Sequence, residues 1–209
     1  MNIVEYNKLL RQNFEKTGDI KFLLRYVLTE GLDPICDYEN MISIIRKYKD
    51  AYNNPTLLFI GSYWLSWWFH EKNNDCLNDL NNLKEYMTNE ELAITYYLNA
   101  FHISCTDRHY ATNPDYRNNL LFSMHHEVPF VNNRMRLAEI SFGNEKRQLY
   151  VEALRNVADV DNSMMIDPIS EEIYAEPSEF IGEFITGITP SSAHYCRLLT
   201  DALKAFNEI

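Results

Sequence analysis

Apolar residues recur at three- and four-residue spacings along most of the chain, the pattern of helices that bury one face. One such stripe is formed by Ile35, Tyr38, Met41, Ile42, Ile45 and Tyr48. Another is formed by Leu198, Leu199, Ala202, Leu203 and Phe206. No convincing run alternates strictly between apolar and polar residues, so the sequence predicts an all-α fold with no sheet.

Helix starts are marked by residues that can cap them. Asp or Asn precedes Pro four times, at Asp33-Pro34, Asn54-Pro55, Asn113-Pro114 and Asp167-Pro168. An Asx side chain can accept from the first free amides, and Pro at the first helical position loses no needed donor. These marks and the periodicity predict about 11–12 helices, at residues 2–16, 20–30, 34–51, 55–71, 75–86, 89–106, 114–126, 129–142, 145–158, 168–176, 178–186 and 192–207.

Short connections separate most of these predicted helices. Consecutive helices joined in this way are usually antiparallel neighbours. A chain of 209 residues is also long enough to bury a sizeable core. We therefore expect residues 1–209 to form a single all-α domain, an irregular array of stacked antiparallel helical hairpins.

The segment Leu57-x-x-Ile60-Gly61-x-x-Trp64 resembles the first half of a tetratricopeptide repeat. In that family a small residue at the position of Gly61 lets two helices approach closely. The resemblance covers about 30 residues, and no second copy follows about 34 residues later. The small residue expected early in the second helix is missing, as is a closing proline at Glu85. The resemblance implies helical hairpins of this kind.

The aromatic run LLFIGSYWLSWWF at residues 57–69 contains all three tryptophans of the chain. A 13-residue helix spans about 20 Å, too short for a hydrocarbon core of about 30 Å. The run is apolar almost all round, which is typical of an enclosed helix. The alternative is a peptide-binding groove lined by Trp64, Trp67 and Phe69.

Candidate metal ligands occur at His102, Cys105 and His109, spaced i, i+3 and i+7. On one continuous helix they would share a face, and all three suit zinc. No fourth ligand follows by spacing, so we expect no metal and no cofactor. The phosphate-binding, zinc-protease and serine-hydrolase motifs are also absent, and the sequence favours a protein that is not an enzyme.

Charge is unevenly distributed along the chain. The formal net charge is −11, and residues 159–209 carry ten acidic and two basic side chains. No Lys or Arg occurs between Arg155 and Arg197. The acidic side chains in this window, which we call the acidic segment, are Asp159, Asp161, Asp167, Glu171, Glu172, Glu176, Glu179 and Glu183. They are the predicted binding residues for a basic protein partner, and they argue against direct nucleic-acid binding.

Location and function follow from these features as expectations. The N-terminus lacks the apolar core of a signal peptide, and the four cysteines are far apart, which favours the cytoplasm and free thiols. In composition the chain resembles small acidic bacterial toxin-immunity proteins. We expect a non-catalytic module that inhibits a basic protein such as a nuclease toxin. The alternatives are a scaffold or adaptor with a peptide groove near Trp64, and a metal-dependent enzyme using His102.

Overall fold

The computed structural model describes residues 3–32, 39–40, 43–45, 47, 55–68, 70, 73–126, 131–158 and 204. All regular structure in these residues is helical, and none of them lies in a strand, which confirms the all-α prediction. Apart from residue 204, the three predicted helices beyond residue 160 lie outside the described residues, as does most of the predicted helix 34–51.

The described part of the chain contains the following α-helices. They are α1 (Ile3–Thr17), α2 (Ile20–Leu32), α3 (Pro55–Trp68), α4 (Asn73–Asn82), α5 (Asn89–Thr106), α6 (Pro114–His125), α7 (Val131–Glu139) and α8 (Gly143–Ala158). Short 3₁₀ turns at Lys84–Tyr86 and Tyr110–Thr112 flank α5. The ends of most of these helices lie within two to three residues of the sequence prediction, because the capping residues that mark them act locally.

The capping signals show how local chemistry sets these ends. The Thr88 hydroxyl accepts from the Glu91 amide at 3.3 Å, and the Glu91 carboxylate accepts from the Thr88 amide at 2.9 Å. This reciprocal pair is the predicted capping box, and it starts α5. At the start of α6, the Asn113 side chain accepts from the Asp115 amide at 2.9 Å, with Pro114 as the first helical residue.

The described helices group into two compact units, with the boundary between Glu85 and Tyr86. The first unit contains α1 to α4, and the second contains α5 to α8. Within each unit every helix packs against the next one along the chain. This packing of neighbours is what short connections predict, whereas the stacked-hairpin array and the single domain stay predictions.

The aromatic helix α3 packs against α2 and α4 in the first unit. Leu57, Phe59, Ile60 and Leu65 on different sides of this helix are all fully buried. Each such side chain stabilises the fold by about 1.5–3 kcal/mol relative to exposure. The prediction of an enclosed helix is therefore confirmed for residues 57–66. No described helix has the length and apolar character needed to cross a membrane.

A close helix approach occurs at Gly61 in α3. A Cβ atom built on Gly61 would lie 2.6 Å from the Cδ1 atom of Ile45. Ile45 is itself fully buried, so its side chain has little room to move away. A side chain larger than hydrogen cannot fit at residue 61 without a shift. This is the role that the tetratricopeptide resemblance implies for a small residue here.

We predict that Gly61→Ala lowers the free energy of unfolding by about 1–3 kcal/mol, because the added methyl group overpacks the core against Ile45. Ile45→Val removes the clashing Cδ1 atom, and the other near Ile45 atoms are 3.6 Å from the new Cβ. The double variant should therefore lose less stability than the two single losses added together. Urea unfolding of the four proteins measures this coupling, and strictly additive losses would contradict the contact.

Candidate functional site

The acidic segment was the main predicted binding surface. All eight of its carboxylates, from Asp159 to Glu183, lie outside the described residues. Their role as partner-binding residues therefore stays a prediction based on the charge pattern of the sequence.

Of the three residues predicted to line an aromatic groove, the structure describes the side chain of one, Trp64. Trp64 is partly exposed, and its ring meets the Tyr63 ring edge-on at 5.0 Å between centroids. Its indole Nε1 is fully buried and has no hydrogen-bond partner in the described part of the chain. The side chains of Trp67 and Phe69 lie outside the described residues. Trp64 thus packs mainly into the first unit, with one edge at the surface.

The three candidate metal ligands do not share one helical face. His102 and Cys105 lie in α5, but that helix ends at Thr106, and Asp107 is its C-cap residue. The Asp107 carboxylate accepts from the His109 amide at 2.8 Å and from the Asn113 side chain at 3.0 Å, which turns the chain away. This helix end agrees with the predicted helix 89–106, so the condition of one continuous helix through all three residues is not met. Among the described residues no group of three His, Cys, Asp or Glu side chains is arranged to hold a metal ion.

The Cys105 thiol is free and partly buried. Burial raises its pKa, and a hydrogen bond with Ser104 and the nearby Arg136 charge only partly oppose this effect. Catalytic cysteines need the opposite environment, because the thiolate is the nucleophile. The geometry at Cys105 therefore favours a thiol that remains protonated near neutral pH.

A cluster that the sequence did not predict surrounds Arg136 of α7. The Arg136 Nε donates to the Tyr97 hydroxyl at 3.2 Å, and its Nη1 donates to the Ser104 hydroxyl at 3.4 Å. The guanidinium carbon lies 4.7 Å from the centre of the Phe101 ring. Such a stack holds a cation by attraction to the negative face of the ring. Arg136 is thus fixed against α5 by two neutral hydroxyls and one aromatic face.

Arg136 differs from two other arginines of the second unit. Arg117 pairs with Glu145 at 2.5 Å, and Arg134 pairs with Glu152 at 3.3 Å. In the described residues no carboxylate lies within ion-pair distance of Arg136, although its side chain is largely enclosed. An enclosed charge is normally compensated by an opposite one. Among the described residues the cationic charge of Arg136 therefore has no direct counter-charge.

Two further ionisable side chains near Arg136 have perturbed pKa values. Burial raises the pKa of Tyr116 to about 12, although the Arg136 charge acts to lower it. Desolvation by neighbouring protein atoms raises the pKa of Glu139, against the opposing charges of Arg136 and Lys146. Perturbed groups that gather in one place are typical of functional sites. We call Tyr97, Ser104, Tyr116, Arg136 and Glu139 the Arg136 cluster.

No sequence motif could have identified the Arg136 cluster. Its members come from α5, α6 and α7, and they are separated by up to 42 positions between Tyr97 and Glu139. Only the packing of these helices brings them together. The one local signal was an arginine at position 136 near apolar Leu137 and Ala138, both of which are buried.

An exposed aromatic patch lies elsewhere on the second unit. Phe122 is 53% exposed and Leu121 is 41% exposed. The Tyr96 ring lies 5.4 Å from the Phe122 ring and stacks on the His126 ring at 5.9 Å. Burial, followed by the nearby His125, lowers the pKa of His126, so its imidazole is neutral at neutral pH. We call Tyr96, Leu121, Phe122 and His126 the aromatic patch.

Comparisons with known proteins identify no relative. No protein-family model, no curated protein and no solved structure matches the chain.

We predict that Cys105 reacts slowly with iodoacetamide at neutral pH, with a midpoint of reactivity above that of an ordinary cysteine, because burial raises its pKa. Labelling of the native protein over a pH series, read for the Cys105 peptide by mass spectrometry, measures this midpoint. The same peptide labelled in urea provides the control. A native midpoint below the urea value would instead indicate an activated nucleophile.

Proposed function

We propose that the protein is a non-catalytic cytoplasmic module that binds a basic protein partner. In its most concrete form it is an inhibitor or immunity protein that neutralises a basic toxin such as a nuclease. The observation that carries this proposal is the concentration of uncompensated carboxylates in the acidic segment.

The charge imbalance is confined to one part of the chain. Residues 1–158 hold 20 acidic and 17 basic side chains, a net charge of −3. Residues 159–209 carry a net charge of −8, although this segment is only about a third as long as residues 1–158. Interspersed charges of both signs would suffice for solubility. A single-sign concentration instead creates a field that attracts a basic partner and raises the association rate.

The aromatic patch supports a protein-binding role. Tyr and Phe are enriched in the buried centres of protein interfaces, where they contribute large contact areas. The adjacent side chains of Leu121 and Phe122 are both exposed, and neighbouring exposed apolar side chains are typical of interaction sites. The patch is also uncharged at neutral pH, because the pKa of His126 is lowered. An uncharged patch of this kind does not repel a basic partner.

Two other functions have less support. A peptide-binding adaptor would use the groove near Trp64, but the indole Nε1 of Trp64 is buried rather than presented to a ligand. A metal-dependent enzyme would need His102, Cys105 and His109 together, and α5 ends before His109. The basic-partner hypothesis depends on neither of these sites.

We predict that Asp161→Lys, Glu172→Lys and Glu179→Lys slow association with the natural partner, because exposed charges steer encounter over about 8 Å at physiological ionic strength. The partner is first isolated by affinity capture from the native host and identified. Association and dissociation rates are then measured at several salt concentrations. The association rate of the unmodified protein should fall steeply as salt rises.

A matched control is Glu85→Lys, which makes the same charge change at an exposed position outside the acidic segment. It should leave the association rate close to that of the unmodified protein. A further variant, Phe122→Ala, should raise the dissociation rate if the aromatic patch contacts the same partner. The proposal is wrong if the captured partner is acidic, or if all three lysine variants associate at the unmodified rate.

A further inference from the structure

We propose that the Arg136 cluster is a binding site for a carboxylate ligand, anchored by the Arg136 guanidinium. This site is distinct from the acidic segment and the aromatic patch, and it goes beyond the proposed binding of a basic protein. Four features of the cluster carry the proposal.

The first feature is unused donor capacity. A guanidinium carries five N–H donors, and Arg136 directs Nε to Tyr97 and Nη1 to Ser104. Apart from an interaction with the Tyr116 oxygen, no described residue accepts a hydrogen bond from the remaining donors. The guanidinium therefore keeps N–H donors on its two terminal nitrogens, and these can donate two hydrogen bonds to one carboxylate end-on.

The second feature is the fixed position of the cation. Stacking of the guanidinium carbon on Phe101 at 4.7 Å and the two hydrogen bonds to hydroxyls hold the side chain in place. The Phe101 ring is in turn stacked on the Tyr97 ring, with 6.1 Å between centroids. A donor that is already fixed loses little conformational entropy when a ligand binds. The cluster thus fixes the Arg136 guanidinium before an anion binds.

The third feature is the absence of a direct counter-charge. Glu139 lies one turn along α7, yet it is not within ion-pair distance of Arg136 in the described structure. The hydroxyls of Tyr97 and Ser104 are neutral acceptors, so they satisfy hydrogen bonds without balancing the charge. A ligand anion would supply the missing charge in an environment where charge-assisted hydrogen bonds are strong.

The fourth feature is the Tyr116 hydroxyl. Tyr116 is fully buried, and its hydroxyl makes no hydrogen bond of good geometry with any described residue. It is nevertheless close enough to Arg136 for each group to shift the pKa of the other. Arg136 can only donate to the Tyr116 oxygen, so the buried Tyr116 O–H itself has no acceptor among the described residues. A buried donor without an acceptor is costly, and a ligand that accepts from it would relieve that cost. Tyr116 supplies the second donor of the site.

The same groups favour a carboxylate over a phosphate. The site offers one guanidinium, whose planar fork matches a planar carboxylate. A phosphate dianion would bring two negative charges to this one cation, with the Glu139 carboxylate nearby. The other close arginine, Arg117, is already paired with Glu145. The charge balance therefore suits a single negative charge.

The test measures the melting temperature of the full-length protein with increasing sodium acetate, sodium benzoate or sodium phosphate, each against sodium chloride at equal ionic strength. A ligand that binds only the folded state raises the melting temperature in a saturable way. We expect saturable stabilisation by acetate and benzoate beyond that by phosphate. N-acetyl-alanyl-alanine and its C-terminal amide then test whether the site also binds the carboxylate of a peptide, since only the acid carries the anion.

Four variants show which residues the stabilisation by acetate and benzoate depends on. Arg136→Gln should abolish it, and Arg136→Lys, which keeps the charge but loses the fork, should weaken binding about tenfold. Tyr116→Phe should also weaken binding by about five- to tenfold. Because no described residue accepts from the Tyr116 hydroxyl, Tyr116→Phe should leave the melting temperature without ligand close to that of the unmodified protein. The matched control is Arg117→Gln, which removes one arginine from a partly exposed ion pair and should bind acetate normally.

Two results would overturn the assignment. One is a rise in melting temperature with acetate and benzoate that is no larger than the rise with chloride, or that is smaller than the rise with phosphate. The other is a response that Tyr116→Phe and Arg136→Lys both retain in full. If Arg136→Gln fails to fold, these two milder variants still decide the outcome, since each preserves the size and packing of the side chain. Neither result depends on whether a basic protein partner exists.

Discussion

The second unit depends on one buried chain of hydrogen bonds that joins all four of its helices. The Ser123 hydroxyl of α6 donates to the Ala93 carbonyl of α5 at 2.7 Å, and Asn133 of α7 donates to the Ser123 hydroxyl at 3.0 Å. Arg134 extends the chain by donating to Asn133 at 3.2 Å and to Glu152 of α8 at 3.3 Å. Ser123 and Asn133 are fully buried, so removing either would leave polar atoms unsatisfied at about 1–3 kcal/mol each.

This chain of hydrogen bonds also fixes the rotation of α7, and Arg136 lies only two residues beyond Arg134. Adjacent positions on a helix point in different directions, so one rotation places Arg134 toward α8 and Arg136 toward α5. The result is that Arg134 meets a carboxylate, whereas Arg136 meets hydroxyls and an aromatic ring. The same constraint that stabilises the unit therefore leaves one arginine uncompensated, and this is the basis of the proposed carboxylate site.

The two proposals use opposite charges in different parts of the chain. Attraction of a basic protein relies on many carboxylates acting together at a distance, an effect that salt screens. Recognition of a carboxylate relies on a single enclosed cation, which salt screens far less. Within the described residues the proposed binding features are the exposed aromatic patch and the enclosed Arg136 cluster. The two proposals rest on different residues, so a substitution that tests one leaves the residues of the other unchanged.

The sequence by itself determined the helical class, most helix ends and the enclosed aromatic helix. These follow from local causes: periodicity of apolar residues, the Thr88 and Glu91 capping box, and the Asn113-Pro114 start signal. It also predicted the end of α5 before His109, where the Asp107 side chain accepts from the His109 amide and from the Asn113 side chain. Only the tertiary structure decided the Arg136 cluster and the contact of Gly61 with Ile45. Both depend on which helix faces which, and that choice is made by packing between segments far apart in the chain, where spacing along the sequence carries no information.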